Sequence, residues 1–119
     1  MKLRIALFFA TACIALPGHS QTAHPDCAGV QRWATTMAFV HLKNAGLTDN
    51  DRLEFSKTKT TRLASEQIGS DLFRQVHRVV FSEKSGSVIE VITVNDASRE
   101  ECSMSGVDVF LVSKRLGGQ

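Results

Sequence analysis

The sequence predicts an α+β domain in which an N-terminal amphipathic helix packs on a four-stranded antiparallel meander sheet. Three observations carry that expectation. Apolar residues recur at helical spacing between residues 26 and 45, stretches rich in Val, Ile, Phe and Thr follow between residues 53 and 112, and short Gly-, Ser-, Asp- or Asn-bearing breaks cut those stretches into hairpin-length pieces. At 119 residues, with 43% hydrophobic and 22% charged side chains, the chain suits one small domain and neither a disordered nor a polytopic membrane chain.

The first residues are set apart from that domain. Lys2 and Arg4 precede a run from residue 5 to residue 16 that is apolar except for Thr11, and Pro17-Gly18 ends it. This is the pattern of a secretory signal peptide, and it is shorter than the roughly 20 apolar residues of a spanning helix. Gly18 and Ser20 place the cut after Ser20, with Gln21 and Ala23 as neighbouring positions, so residues 1–20 form the signal peptide and 21–119 the domain. Cys13 lacks the Leu three residues earlier that a lipoprotein site prefers. The expected destination is the periplasm or the exterior.

Export changes the arithmetic. Loss of Lys2 and Arg4 leaves 12 of the 14 basic side chains against 12 acidic ones, so the mature domain is formally neutral. Loss of Cys13 leaves Cys27 and Cys102, and a cysteine pair in an oxidising compartment reads as one disulfide. Its loop of about 75 residues corresponds to a chain-entropy ceiling of about 4.5 kcal/mol. Two free thiols or an intermolecular bridge are the alternatives.

The elements follow in order. Val30, Trp33, Ala34, Met37, Val40 and His41 define the helix, with Val30, Met37 and His41 at the centre of its apolar face and Phe39 pointing the other way. Pro25 and Asp26 compete as its start signal, and Gly46 takes the place of a C′ glycine. Thr48-Asp49-Asn50-Asp51 is a polar loop. Leu53, Phe55 and the Thr-rich residues 57–62 begin a first strand; residues 63–68 suit a strand or a short helical turn, and strand is the expectation here. Gly69-Ser70-Asp71 turns the chain into a second strand over residues 72–82. Glu83-Lys84-Ser85-Gly86 fits a type I turn with a left-handed Gly86 and a bulge, which pairs Phe81 with Ile89 and Val79 with Val91. The third strand runs over residues 88–94 until Asn95-Asp96-Ala97 breaks it. Ser98-Arg99-Glu100-Glu101 matches a capping box that would open a helical turn carrying Cys102, and residues 107–112 form the last strand.

In that register Phe73, Val79, Phe81, Ile89 and Val91 share the core face. Arg74, Val76, Arg78 and Val80 fall on the other face with Val88, Glu90, Ile92 and Val94, and the last strand adds Phe110 and Val112. This second face is too apolar for plain solvent exposure and too charged for a core. One helix covers one face only, so the second face is covered by the chain's own N-terminal segment, by a homodimer or by an unknown protein partner.

Chemistry is weakly signalled. No G-x-S-x-G, P-loop, G-x-G-x-x-G, Ca²⁺ loop, H-E-x-x-H or C-x-x-C occurs, and neither a catalytic residue, a metal site nor a cofactor is indicated. His41 and His77 are candidates to converge in a pocket between helix and sheet, where an imidazole would titrate near neutrality. His24-Pro25-Asp26-Cys27 groups metal-capable side chains in a segment that reads as a free tail. Arg52, Lys57, Lys59, Arg62, Arg74 and Arg78 form a basic stripe, but mature neutrality and the absence of Tyr argue against nucleic acid. Phe39, opposite the helical stripe, is a candidate contact residue.

The segments Leu63-Ala64-Ser65-Glu66-Gln67-Ile68-Gly69, Asp71-Leu72-Phe73-Arg74-Gln75-Val76-His77, Val91-Ile92-Thr93-Val94-Asn95-Asp96-Ala97-Ser98 and Glu101-Cys102-Ser103-Met104-Ser105-Gly106-Val107 resemble small exported proteobacterial proteins of unknown function. The resemblance implies an exported stand-alone domain and brings no activity or catalytic residue with it. The leading expectation is therefore a non-catalytic exported binding domain, of an inhibitor, immunity or surface-interaction type. Its partner surface would be Arg74, Val76, Arg78, Val80, Glu90 and Ile92, with Phe39 added. The competing expectation is a small-ligand-binding protein or enzyme with His41 and His77 in a helix-sheet pocket.

Overall fold

The computed structural model describes residues 12, 23–114 and 116–118. Apart from Ala12, the expected signal peptide lies outside the described residues, as does the cleavage bond after Ser20. Among the described residues no helix is long and apolar enough to cross a membrane.

Helix α1 spans Trp33–Asn44 and is not the first piece of the described chain. Residues 26–32, expected to be helical, are extended chain and a turn instead. The segment is held in other ways: the carbonyl of Pro25 just before it accepts from Gln75 and Arg62, the Cys27 side chain is bonded to Cys102, and Arg32 N–H closes a turn onto the Gly29 carbonyl. The buried stripe of α1 is Ala34, Thr35, Ala38 and Leu42, which corrects the expected face. Val30 and His41 are exposed, Met37 is half-buried, and Phe39 is turned partly inward against the core. Small side chains decide this rotation, because Ala34 and Ala38 let the helix backbone approach the sheet more closely than Val or Met would. The Thr35 hydroxyl serves the same contact, bonding to the Thr60 hydroxyl at 2.7 Å. The helix ends as expected. Gly46, at φ 73°, donates to Lys43 O, and Leu47 N–H donates to Leu42 O at 2.9 Å, the paired bonds of a Schellman motif.

The sheet has the order β1-β2-β3-β4, all antiparallel: β1 Lys59–Gly69, β2 Leu72–Ser82, β3 Val88–Ala97 and β4 Asp108–Leu111. Residues 63–68 are therefore strand. Register shifts at Leu63 and Ile68 interrupt the β1 ladder and bend this edge strand, a device that discourages edge-to-edge pairing. The β2–β3 turn closes through Gly86, at φ 94°, and sets Phe81 opposite Ile89 and Val79 opposite Val91, as the turn chemistry predicts.

Four boundaries differ from expectation. Leu53 makes only an isolated bridge to Glu83, and Phe55–Lys57 is a turn of 3-10 helix rather than strand. Asn95, Asp96 and Ala97 do not break β3 but continue it, pairing with Gln75, Arg74 and Phe73. Ser98 accepts from the Glu101 N–H at 3.0 Å, half of the expected capping box, yet no helix follows. The Glu101 carboxylate is engaged by the Ser103 hydroxyl instead of the Ser98 backbone, so the reciprocal bond is missing. The last strand is the shorter Asp108–Leu111, with Val112 N–H still bonded to the Glu90 carbonyl.

The inward face has two halves. Ala38, Leu42, Leu53, Val79, Phe81 and Val91 form the apolar core under the helix, joined by Phe39, Ile89 and Val109. Beyond the helix start the same face turns polar: Gln75, His77, Thr93 and Asn95 are buried, with Gln75 opposite Asn95 and His77 opposite Thr93. A strap of residues 23–28 and the loop after β3 close over this half. They are joined to each other by the Cys27–Cys102 disulfide, with Cα atoms 5.7 Å apart.

Candidate functional site

Three surfaces have the shape or composition of a site. The first is the outer sheet face. Alternation along β2 and β3 puts Arg74, Val76, Arg78 and Val80 beside Glu90, Ile92, Val94 and Asp96, so six of the residues expected on the partner surface do share it. Arg74 Nε pairs with Asp96 Oδ1 at 3.0 Å, and Arg78 Nε approaches Glu90 Oε1 at 3.8 Å. The hydrogen bond and the charge of Asp96 raise the Arg74 pKa still further above its ordinary range. Val76, Val80, Ile92 and Val94 lie half-buried among these pairs, and Phe110 of β4 is 56% exposed. Phe39 does not belong to this face: it sits on α1 and packs on the opposite side of the sheet.

The second surface is a cleft of about 490 Å³ between the first turns of α1 and the 3-10 turn. Phe81 of β2 is its floor and is almost fully buried; Phe39 is its wall; Phe55 and Val30 form its lips. The Phe39 and Phe55 rings meet edge to face, 5.0 Å between centroids at 83°. Thr35, Thr36 and Thr58 line the same space, and no lining side chain is ionisable. Thr58 is buried and its hydroxyl has no hydrogen-bond partner. The sequence shows all three Phe residues, but their convergence depends on the rotation of α1, which the apolar spacing misplaced.

The third is the buried polar half of the inward face. Gln75 Nε2 donates to the Pro25 carbonyl at 2.8 Å and to the Ser65 hydroxyl at 3.0 Å, and Asn95 Nδ2 donates to the Cys102 carbonyl at 2.9 Å. Gln75 Oε1, both His77 nitrogens, Thr93 Oγ1 and Asn95 Oδ1 have no partner. Burial pushes the His77 pKa down, the Arg62 charge adds to that, and Asp26 opposes it. The Phe73 ring next to this patch is flanked by the His24 ring at 4.9 Å and the Arg99 guanidinium at 5.0 Å.

His41 and His77 share no cavity among those described. His41 is exposed and lines shallow clefts with Met37, Val107 and Asp108, whereas His77 is fully buried in the polar patch. His24 bonds to the Ser65 hydroxyl at 2.6 Å and Cys27 is in the disulfide, so the segment from His24 to Cys27 is tied to the sheet rather than free. Among the described residues no group of three or more His, Cys, Asp or Glu side chains is placed to hold a metal. The basic stripe is largely answered by local partners: Arg52 by Glu83 at 3.0 Å, Lys57 by Glu54 at 3.7 Å and Arg62 by Pro25 O at 3.0 Å.

The fold and these surfaces define a disulfide-linked α+β domain whose helix and strap pack on one face of its sheet. No protein-family model, curated protein or solved structure matches the chain.

Proposed function

We propose that the protein is an exported, non-catalytic binding domain that engages a protein partner through the outer face of its sheet. The observation that carries this reading is the composition of that face. Val76, Val94 and Ile92 form an apolar patch between the Arg74–Asp96 and Arg78–Glu90 pairs, with Val80 just beyond Arg78, while the helix packs on the opposite side. An apolar centre with a charged surround is the usual anatomy of a protein interface. Export is supported by the targeting pattern in residues 1–20 and by the disulfide, which persists in oxidising compartments.

The test is site-specific photocrosslinking in the exporting cell. A crosslinker at Ile92 should give one discrete adduct, and Val80→Asp should abolish it; a crosslinker at Asn50, in the polar loop after α1, should give none. The adduct's mass distinguishes a foreign partner from a second copy. Failure of Ile92, Val76 and Arg78 positions to give any adduct would remove the face from consideration. A reading that requires His41 and His77 in one pocket has no support from their positions, which leaves the aromatic cleft as the place where a small ligand would fit.

A further inference from the structure

We infer that the cleft between α1 and the 3-10 turn is a binding site for a small, uncharged aromatic molecule. This goes beyond the proposed partner surface, since the cleft lies on the helix side of the sheet.

Four observations converge on that ligand. The volume, about 490 Å³, lies within the roughly 300–1,000 Å³ of small-molecule pockets. Val30 and Phe55, which are 49% and 46% exposed, are the two lips of the same cleft, so an occupant would remove both from water at once. Phe39 and Phe55 stand nearly perpendicular, offering a ring edge and a ring face to a third ring, with Phe81 beneath. The lining holds no ionisable side chain, so a charged ligand would lose its hydration without gaining a counter-charge. Polarity is confined to hydroxyl and amide groups. The Thr58 hydroxyl is itself buried out of reach of the cleft space.

The probe is 2-naphthol, neutral at pH 7, titrated into the full domain by calorimetry, with naphthalene-2-sulfonate and naphthalene as comparators. Saturable 1:1 binding of 2-naphthol is expected, with the sulfonate at least about tenfold weaker. Thr36→Trp, which fills the cleft from an exposed helix position, should abolish binding, and Phe55→Ala at the lip should weaken it about tenfold or more. Naphthalene should bind within about threefold of 2-naphthol, because ring packing and not a hydrogen bond holds the occupant. Circular dichroism establishes that each variant is folded, and if Thr36→Trp does not fold, Phe55→Ala decides. No saturable binding, equal affinity for the sulfonate, or unaltered binding in the folded cleft variants would each overturn the inference. None of these outcomes bears on adducts formed by the outer sheet face.

Discussion

The Gln75 side-chain amide, in the middle of β2, donates to the Pro25 carbonyl at 2.8 Å and so fastens the strap to the sheet across fifty residues of sequence. The same carbonyl accepts from the Arg62 guanidinium at 3.0 Å, and the Gln75 amide also reaches the Ser65 hydroxyl of β1. This one buried side chain therefore ties together the strap and the two strands beneath it. It does what a hydrophobic residue at that position could not, since the strap presents a backbone carbonyl that would otherwise be buried with fewer donors.

Replacing Gln75 by Ala should lower the stability of the domain by about 1–3 kcal/mol, the usual cost of removing a hydrogen-bonded group from a buried site. Urea unfolding measures this as a fall in midpoint at constant slope. Hydrogen exchange should show the loss first in the amides of residues 23–28. A variant with an unchanged midpoint would mean that the Arg62 and His24 bonds and the disulfide hold the strap without the Gln75 amide.

His77 predicts a pH dependence with a definite sign. Burial, and then the Arg62 charge, lower its pKa below the ordinary imidazole value of about 6.5, with the Asp26 carboxylate opposing. The unfolded chain therefore binds the proton more readily than the folded one. The stability contributed by a neutral, buried His77 is complete above pH 6.5 and declines as the pH falls below it towards the folded-state value. Unfolding curves between pH 7.5 and 5 should show that decline, and His77→Leu should flatten it while removing two unpartnered ring nitrogens. An equal slope in wild type and variant would assign the dependence to other groups.

How far the sequence spoke for the structure is clearest in the β2–β3 hairpin. Turn residues with a left-handed Gly86 leave one register, and β-branched alternation then decides every side chain's face, so both the core pairs and the outer residues Arg74 to Ile92 were legible. The helix departs from its apolar spacing for a different reason. Helical spacing centres the buried stripe on Val30, Met37 and His41, whereas close packing selects Ala34, Thr35 and Ala38 together with Leu42. The same rotation turns Phe39, outward by the apolar spacing, in against the core and into the wall of the cleft. Asn95 to Ala97 are strand although local propensity favours a turn there, because their side chains find partners in β2 and the following loop: Asp96 with Arg74, and Asn95 with the Cys102 carbonyl. Contacts of this range have no local signal.

Gly46 gives a prediction from backbone geometry alone. Its φ of 73° is left-handed, and a Cβ at that position would meet nothing within 4 Å, so any cost of substitution comes from conformation and not from a clash. Gly46→Ala should therefore destabilise the domain by about 1–2 kcal/mol. Gly46→Asn, which tolerates the left-handed region better, should cost less. Thermal unfolding of the two variants side by side checks the order, and equal losses would point to a role other than the Schellman turn.

The disulfide gives the largest expected effect and also says where the loss should appear. Cys27 and Cys102 are 75 residues apart, so the bridge removes a long-loop entropy from the unfolded chain, with a chain-entropy ceiling of about 4.5 kcal/mol. In the folded state it joins the strap to the loop after β3, the two segments that close the polar half of the inner face. Cys27→Ser with Cys102→Ser should therefore lower the unfolding temperature substantially. It should also raise hydrogen exchange at Gln75, His77, Thr93 and Asn95 before it does so at Val79 and Val91, which the helix covers independently of the bridge. A uniform loss of protection over both halves would show that strap and helix open as one cooperative unit.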